Sequence, residues 1–68
     1  MTASITLNGS SHPIPHELPL ESLLESLGLD GRPVVVELDG QAVFPRDYPH
    51  TVVRDGARLE IVTLAAGG

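Results

Sequence analysis

There is no cysteine among the 68 residues. No disulfide can staple the fold, and no thiolate is available as nucleophile or metal ligand. Lysine is missing as well, because the four cationic side chains are Arg32, Arg46, Arg54 and Arg58. The chain therefore offers no side-chain amine for modification. Aromatic residues are scarce, with no tryptophan, one phenylalanine (Phe44) and one tyrosine (Tyr48). Apolar runs are only a few residues long, far short of the ~20 that span a bilayer. Met1 to Leu7 passes straight into a strand-like pattern, with no basic stretch leading into a long apolar one. A secretory signal is not expected, and the cytoplasm is the expected compartment. Positive charge is in deficit too, the net charge being −5. Such a surface repels phosphate backbones and argues against nucleic-acid binding. It suits partners with basic docking surfaces, and it also keeps a small protein soluble.

What is present is enough for one small domain. Apolar residues make up 41% of the chain, which favours a compact fold over disorder. A chain this short has a thin core margin. Thr2 to Asn8 alternates, with Ile5 and Leu7 on one side, and predicts a strand. Asn8-Gly9 predicts a tight turn, since both residues tolerate positive φ. Ser10 to Ile14 returns, and Pro13 and Pro15 mark it as an edge strand. Leu20, Leu23, Leu24 and Leu27 make one helical stripe. Pro19 is expected in the first helical turn, Glu17 and Glu21 near the positive end of the dipole, and Gly28 at the stop. Val34 to Leu38 and Gln41 to Phe44 form a hairpin around Asp39-Gly40. Pro45 to His50 is a polar connection with room for one helical turn. Arg58 to Leu64 is the last long strand, after a turn at Asp55-Gly56.

The order is β-β-α-β-β-β, an α+β arrangement with one helix on a mixed sheet. Ubiquitin-like β-grasp domains use it. Residues 1–64 are expected to form the domain and 65–68 a mobile tail ending in Gly-Gly. Alternation puts Ile5, Leu7, Val34, Val36, Leu38, Leu59 and Ile61 towards the helix. Thr6, Asn8, Val35, Glu37, Glu60, Val62 and Leu64 then face away. Of these, Val35, Val62 and Leu64 are apolar. Together with Ala65 and Ala66 at the tail's root they are the expected partner-binding residues.

The familiar catalytic constellations are not convincing. His12 and His16 lack an evident third ligand, so no metal is expected. No pair of carboxylates is arranged as acid and base. No glycine-rich loop joins a strand to a helix, so no nucleotide cradle is expected. The chain is not expected to be an enzyme or to bind a cofactor of its own. What remains is the terminal Gly67-Gly68. Glycine threads a narrow channel and takes any backbone angle there. A carboxylate is a poor electrophile, but an ATP-using partner enzyme can convert it to an acyl adenylate. A persulfide can then displace AMP and leave a thiocarboxylate. Gly68 is the candidate reactive residue and Gly67 its slim neighbour.

Several segments resemble one known family. Ile5-Thr6-Leu7-Asn8-Gly9, the helix LESLLESLG from Leu20, VVVELDG from Val34 followed by Pro45-Arg46, and DGARLEIVTLAAGG from Asp55 are together similar to ThiS. That family comprises the sulfur carriers of thiamine biosynthesis. The resemblance covers nearly the whole chain, and its closing strand and tail are the most specific part. There are departures: Phe44 is one extra residue before Pro45-Arg46, and Asp39 stands where asparagine is usual. Leu64-Ala65-Ala66 replaces an aromatic residue and a third glycine. The resemblance implies a ThiF-like adenylating enzyme acting on Gly68, a persulfide sulfur donor, and a ThiG-like thiazole synthase as acceptor. Three other readings stay open. They are a carrier for another pathway, such as a molybdopterin synthase small subunit or tRNA thiolation; a ubiquitin-like protein modifier; and a plain binding module.

Overall fold

The computed structural model describes residues 3–64. The expectations for Thr2 and for the tail 65–68 lie outside those residues. The elements are β1 (Ala3–Leu7), β2 (Ser10–Ile14), β3 (Leu18–Pro19), α1 (Leu20–Ser26), β4 (Val34–Leu38), β5 (Gln41–Val43), a 3₁₀ segment (Pro45–His50), β6 (Val52–Val53) and β7 (Arg58–Thr63).

The main sheet has five strands in the order β2-β1-β7-β4-β5. β1 and β7 run parallel, and every other pair in this sheet is antiparallel. The sheet is therefore mixed, with α1 as the helical crossover between the two hairpins, and the architecture is the ubiquitin-like β-grasp. β2 lies at an edge, where its Pro13 needs no ladder partner on the open side.

Both hairpin turns follow from local chemistry. Asn8 and Gly9 have φ of 49° and 85°, and Asp39 and Gly40 have 50° and 84°. Asparagine and aspartate tolerate this left-handed region, so each pair fits the twist of its strands. α1 closes with a Schellman arrangement. The Leu29 N–H donates to the Leu24 carbonyl at 2.9 Å, and the Gly28 N–H to Glu25 at 3.0 Å.

The core is Ala3, Ile5, Ile14, Leu20, Leu23, Leu24, Val36, Val53, Ala57, Leu59 and Ile61. Leu7, Val34 and Leu38 were expected with them but are only half-buried. Helix length explains this. α1 has seven residues and covers ~10 Å of sheet, while a five-residue strand runs ~17 Å. The strand ends thus reach past the helix. Ile14, Val53 and Ala57 join the core from an edge strand, a two-residue strand and a turn: β2 is as long as β1 but its Ser10, Ser11, His12 and Pro13 give it no apolar alternation, and the other two segments are too short to show one.

Four further expectations need correction. Pro19 is not in the first helical turn: it is the N-cap, extended at φ −61° and ψ 145°. There it pairs with Val52, as Leu18 does with Val53, in a two-stranded sheet that alternation did not reveal. Two residues are too few to show a period. The first helical N–H, that of Leu20, is taken by the Thr51 carbonyl at 2.7 Å. Glu17 is held not at the helix end but beside Arg54, at 3.2 Å. The last strand ends at Thr63 and the return strand at Val43, each one residue earlier than expected.

Candidate functional site

The end of β7 fixes the point from which residues 65–68 continue. β7 is flanked on both sides, by β1 and by β4. Asn8 adds a clamp beyond the β1 ladder. Its Oδ1 accepts from the Ile61 N–H at 2.8 Å, and its Nδ2 donates to the Ile61 carbonyl at 3.1 Å. Alternation assigns Asn8 to solvent, and its side chain is instead a backbone-like rung. On the other flank the Leu64 N–H donates to the Pro33 carbonyl at 2.9 Å. The last described residue is thus still tied to the sheet. Replacing Asn8 by alanine removes both bonds and leaves an alanine at positive φ. The expected cost is about 2 kcal/mol. Asn8→Gly keeps the turn and should lose less, and urea unfolding of the two variants separates the clamp from the turn.

The expected partner-binding residues divide as follows. Val35 and Val62 are directly opposed partners in the β4–β7 register, 48% and 59% exposed on the outer face. Leu64 is 51% exposed and borders a groove of about 330 Å³ with Leu24, Leu29, Val34 and Tyr48. Two apolar surfaces therefore meet near the end of β7, one on the sheet and one beside the helix. Ala65, Ala66, Gly67 and Gly68 lie outside the described residues. The other half of the outer face carries hydroxyls, with Ser4 Oγ 3.2 Å from Ser11 Oγ.

Tyr48, from the 3₁₀ segment, was not singled out by the sequence. Its hydroxyl is buried and has no hydrogen-bond partner among the described residues. Burial also raises its pKa above the usual 10.0. The folded protein thus resists an ionisation that the unfolded chain accepts. Stability is fully present below pH ~10 and falls as pH rises beyond it. Tyr48→Phe removes the orphan hydroxyl. It should be neutral or stabilising by up to ~1 kcal/mol at neutral pH. It should also flatten the alkaline loss, as read from urea midpoints at rising pH.

Among the described residues no three His, Asp or Glu side chains gather as a metal site. His16 Nδ1 lies 2.7 Å from the Glu17 carbonyl, a local contact. No helix among them is long and apolar enough to cross a membrane. The three ion pairs among the described residues, Arg46–Asp47, Arg54–Glu17 and Arg58–Glu60, are exposed and contribute little to stability. Arg46 also lies over the exposed Phe44 ring, 5.6 Å from its centroid. Phe44 is thus partly covered by Arg46.

Comparison with known proteins agrees with this geometry. The model of the ThiS family matches residues 5–68. A sulfur carrier protein ThiS from Thermus thermophilus is 33% identical over 64 residues, covering 94% of this chain and 98% of that one. A thiazole synthase from Paramagnetospirillum magneticum is 36% identical over 64 residues, again 94% of this chain. The chain spans only 20% of that synthase's length. A solved structure of a ThiS thiamine biosynthesis protein from Geobacter metallireducens superposes with a TM-score of 0.82. It is 28% identical and covers 96% of this chain and 99% of that one. The family match begins inside β1, takes in every later element and reaches the final glycine, so the chain belongs to the ThiS family.

Proposed function

We propose that the chain is a sulfur carrier of thiamine biosynthesis, with the Gly68 carboxylate as its reactive group. The observation that carries this is the family match through residue 68 on a β-grasp body. A Gly-Gly end follows a last strand held on both flanks. The domain acts as a co-substrate, and its partners supply the chemistry.

A carboxylate oxygen of Gly68 attacks the α-phosphorus of ATP in a ThiF-like enzyme, and pyrophosphate leaves. The terminal sulfur of a persulfide donor then attacks the acyl carbon, and AMP leaves. A second thiol cleaves the sulfur–sulfur bond, forming a disulfide and releasing the thiocarboxylate. The chain has no cysteine, so every thiol in this sequence belongs to a partner. Gly67 leaves the reacting end free of side chains, which suits a narrow channel. Val35 and Val62 on the sheet and Leu64 beside the helix, with Ala65 and Ala66 next in sequence, are the residues on which the enzyme docks.

A ThiG-like thiazole synthase is the proposed acceptor. The Paramagnetospirillum protein supports it, since a segment 36% identical to this chain lies within a polypeptide named thiazole synthase. The test is intact mass spectrometry after incubation with an adenylating enzyme, ATP and a persulfide donor. One carboxylate oxygen should be replaced by sulfur. An unchanged mass with competent partners would refute the carrier reading, and larger conjugates would mark a protein modifier.

A further inference from the structure

Asn8 is the only asparagine in the chain, and a glycine follows it. The turn they form is exposed, and a Cβ built on Gly9 would meet nothing within 4 Å. The Gly9 N–H makes no hydrogen bond among the described residues. An asparagine followed by glycine has a chemistry of its own. The glycine nitrogen lies within ring-closing reach of the side-chain carbonyl carbon, and no side chain shields it. Here that carbonyl carbon is held in place, because Oδ1 and Nδ2 are both engaged on Ile61, at 2.8 and 3.1 Å.

The second hairpin shows why the amide matters. Asp39-Gly40 makes the same left-handed turn, and there a carboxylate suffices. Asp39 Oδ1 accepts from the Arg58 N–H at 2.9 Å, and the Asp39 N–H donates to the Arg58 carbonyl at 2.8 Å. At position 8 the main-chain N–H is taken up by the Leu59 carbonyl at 2.9 Å. The Ile61 carbonyl is left to the side chain, which must therefore carry a donor. The ladder that this clamp extends is short, with β1 and β7 paired at Thr6–Arg58 and Leu7–Leu59. It is also the junction that joins the first hairpin to the rest of the sheet.

We propose that Asn8-Gly9 is a self-modification site whose rate is set by the Ile61 clamp. Base removes the Gly9 N–H proton, and the nitrogen attacks the Asn8 side-chain carbonyl carbon. A carbon–nitrogen bond forms, closing a cyclic imide. The bond to Nδ2 breaks, and ammonia leaves with a proton. One water then opens the ring. Attack at the side-chain carbonyl gives aspartate, and attack at the main-chain carbonyl gives isoaspartate. No oxidant and no partner protein is required. Both products lack Nδ2. The aspartate sets a carboxylate oxygen against the Ile61 carbonyl, and the isoaspartate also lengthens the backbone of the turn. The clamp thus protects the amide, and once the amide is lost the clamp cannot re-form.

The test is incubation of the unaltered chain at mildly alkaline pH, in buffer and in urea above its unfolding midpoint. Intact mass reads the exchange of an amide NH2 for OH. Fragmentation assigns it to Asn8 or to Gln41, the one other side-chain amide. Loss at Asn8 should be about tenfold to a hundredfold slower in buffer than in urea, the factor expected when two hydrogen bonds must first open. Equal rates would overturn the role of the clamp, and loss at Gln41 ahead of Asn8 would overturn the site. Asn8→Asp stands for the product. It should melt about 5–15 °C below the unaltered chain at neutral pH, in low and high salt alike. Below pH ~4 its protonated carboxyl can donate to the Ile61 carbonyl, and the gap should narrow. An equal melting temperature at neutral pH, a gap that salt removes, or a gap indifferent to pH would overturn the claim that the lost donor weakens the junction.

Discussion

Removing Gly67 and Gly68 should abolish thiocarboxylate formation and leave the melting temperature unchanged. The two halves of this expectation have separate causes. Two residues span up to ~7 Å when extended, so the shortened carboxylate stops well short of the nucleotide. A misplacement of even ~1 Å can cost ~100-fold in rate, so a set-back of this size should leave no measurable product. The core, in contrast, ends at Ile61. No buried residue lies beyond it among those described, so the stability change should stay within ~0.5 kcal/mol. Intact mass spectrometry reads the first effect and thermal unfolding the second. A truncated chain that still gains sulfur would place the reactive group elsewhere. Gly67→Val is the finer version. It keeps the length and the terminal carboxylate but adds a branched side chain beside the reacting end. It should bring loss of product with the fold intact.

The second large effect is on the fold itself. Leu59→Ala should cost about 3–5 kcal/mol. Leu59 is 0% exposed and lies on β7, which pairs with both β1 and β4. It stands opposite Leu7 in one register and Leu38 in the other. A cavity there faces both halves of the sheet and cannot close by shifting one strand. A domain of 68 residues has a total stability of roughly 3–10 kcal/mol. The loss therefore takes roughly a third of that stability at the least, and all of it at the lower bound. Thermal melting should drop by about 4–8 °C per kcal/mol lost. Leu38→Ala, at the half-buried end of β4, should cost clearly less. Equal losses from the two would mean that the helix covers the sheet more evenly than its seven residues allow.

Parts of the fold were legible because they depend on short stretches of chain. Asn8-Gly9 and Asp39-Gly40 specify their turns through positive φ, which their neighbours do not influence. The leucines of α1 declare a buried stripe by their spacing alone. The prolines of β2 mark an edge because they remove donors. Other parts were hidden. β3 and β6 are two residues each, far apart in the chain, and they pair only in the tertiary structure, where the 3₁₀ segment packs against α1 and β3. Asn8 reads as an exposed turn residue, yet its amide becomes a rung on Ile61. Tyr48 reads as part of a polar connection, yet its hydroxyl is buried.

The candidate site divides in the same way. The amino-acid sequence by itself determined the Gly67-Gly68 pair, the absence of any thiol among the 68 residues, and the outward side of Val35, Glu37, Glu60 and Val62. Each of these is set by residue identity or by a period of two along one strand. Tertiary structure alone decided that Val35 stands opposite Val62 and Glu37 opposite Glu60. The register between strands more than 20 residues apart has no local signal. It follows from burying Val36, Leu59 and Ile61 together beneath α1, since a one-residue slip would turn those side chains to water.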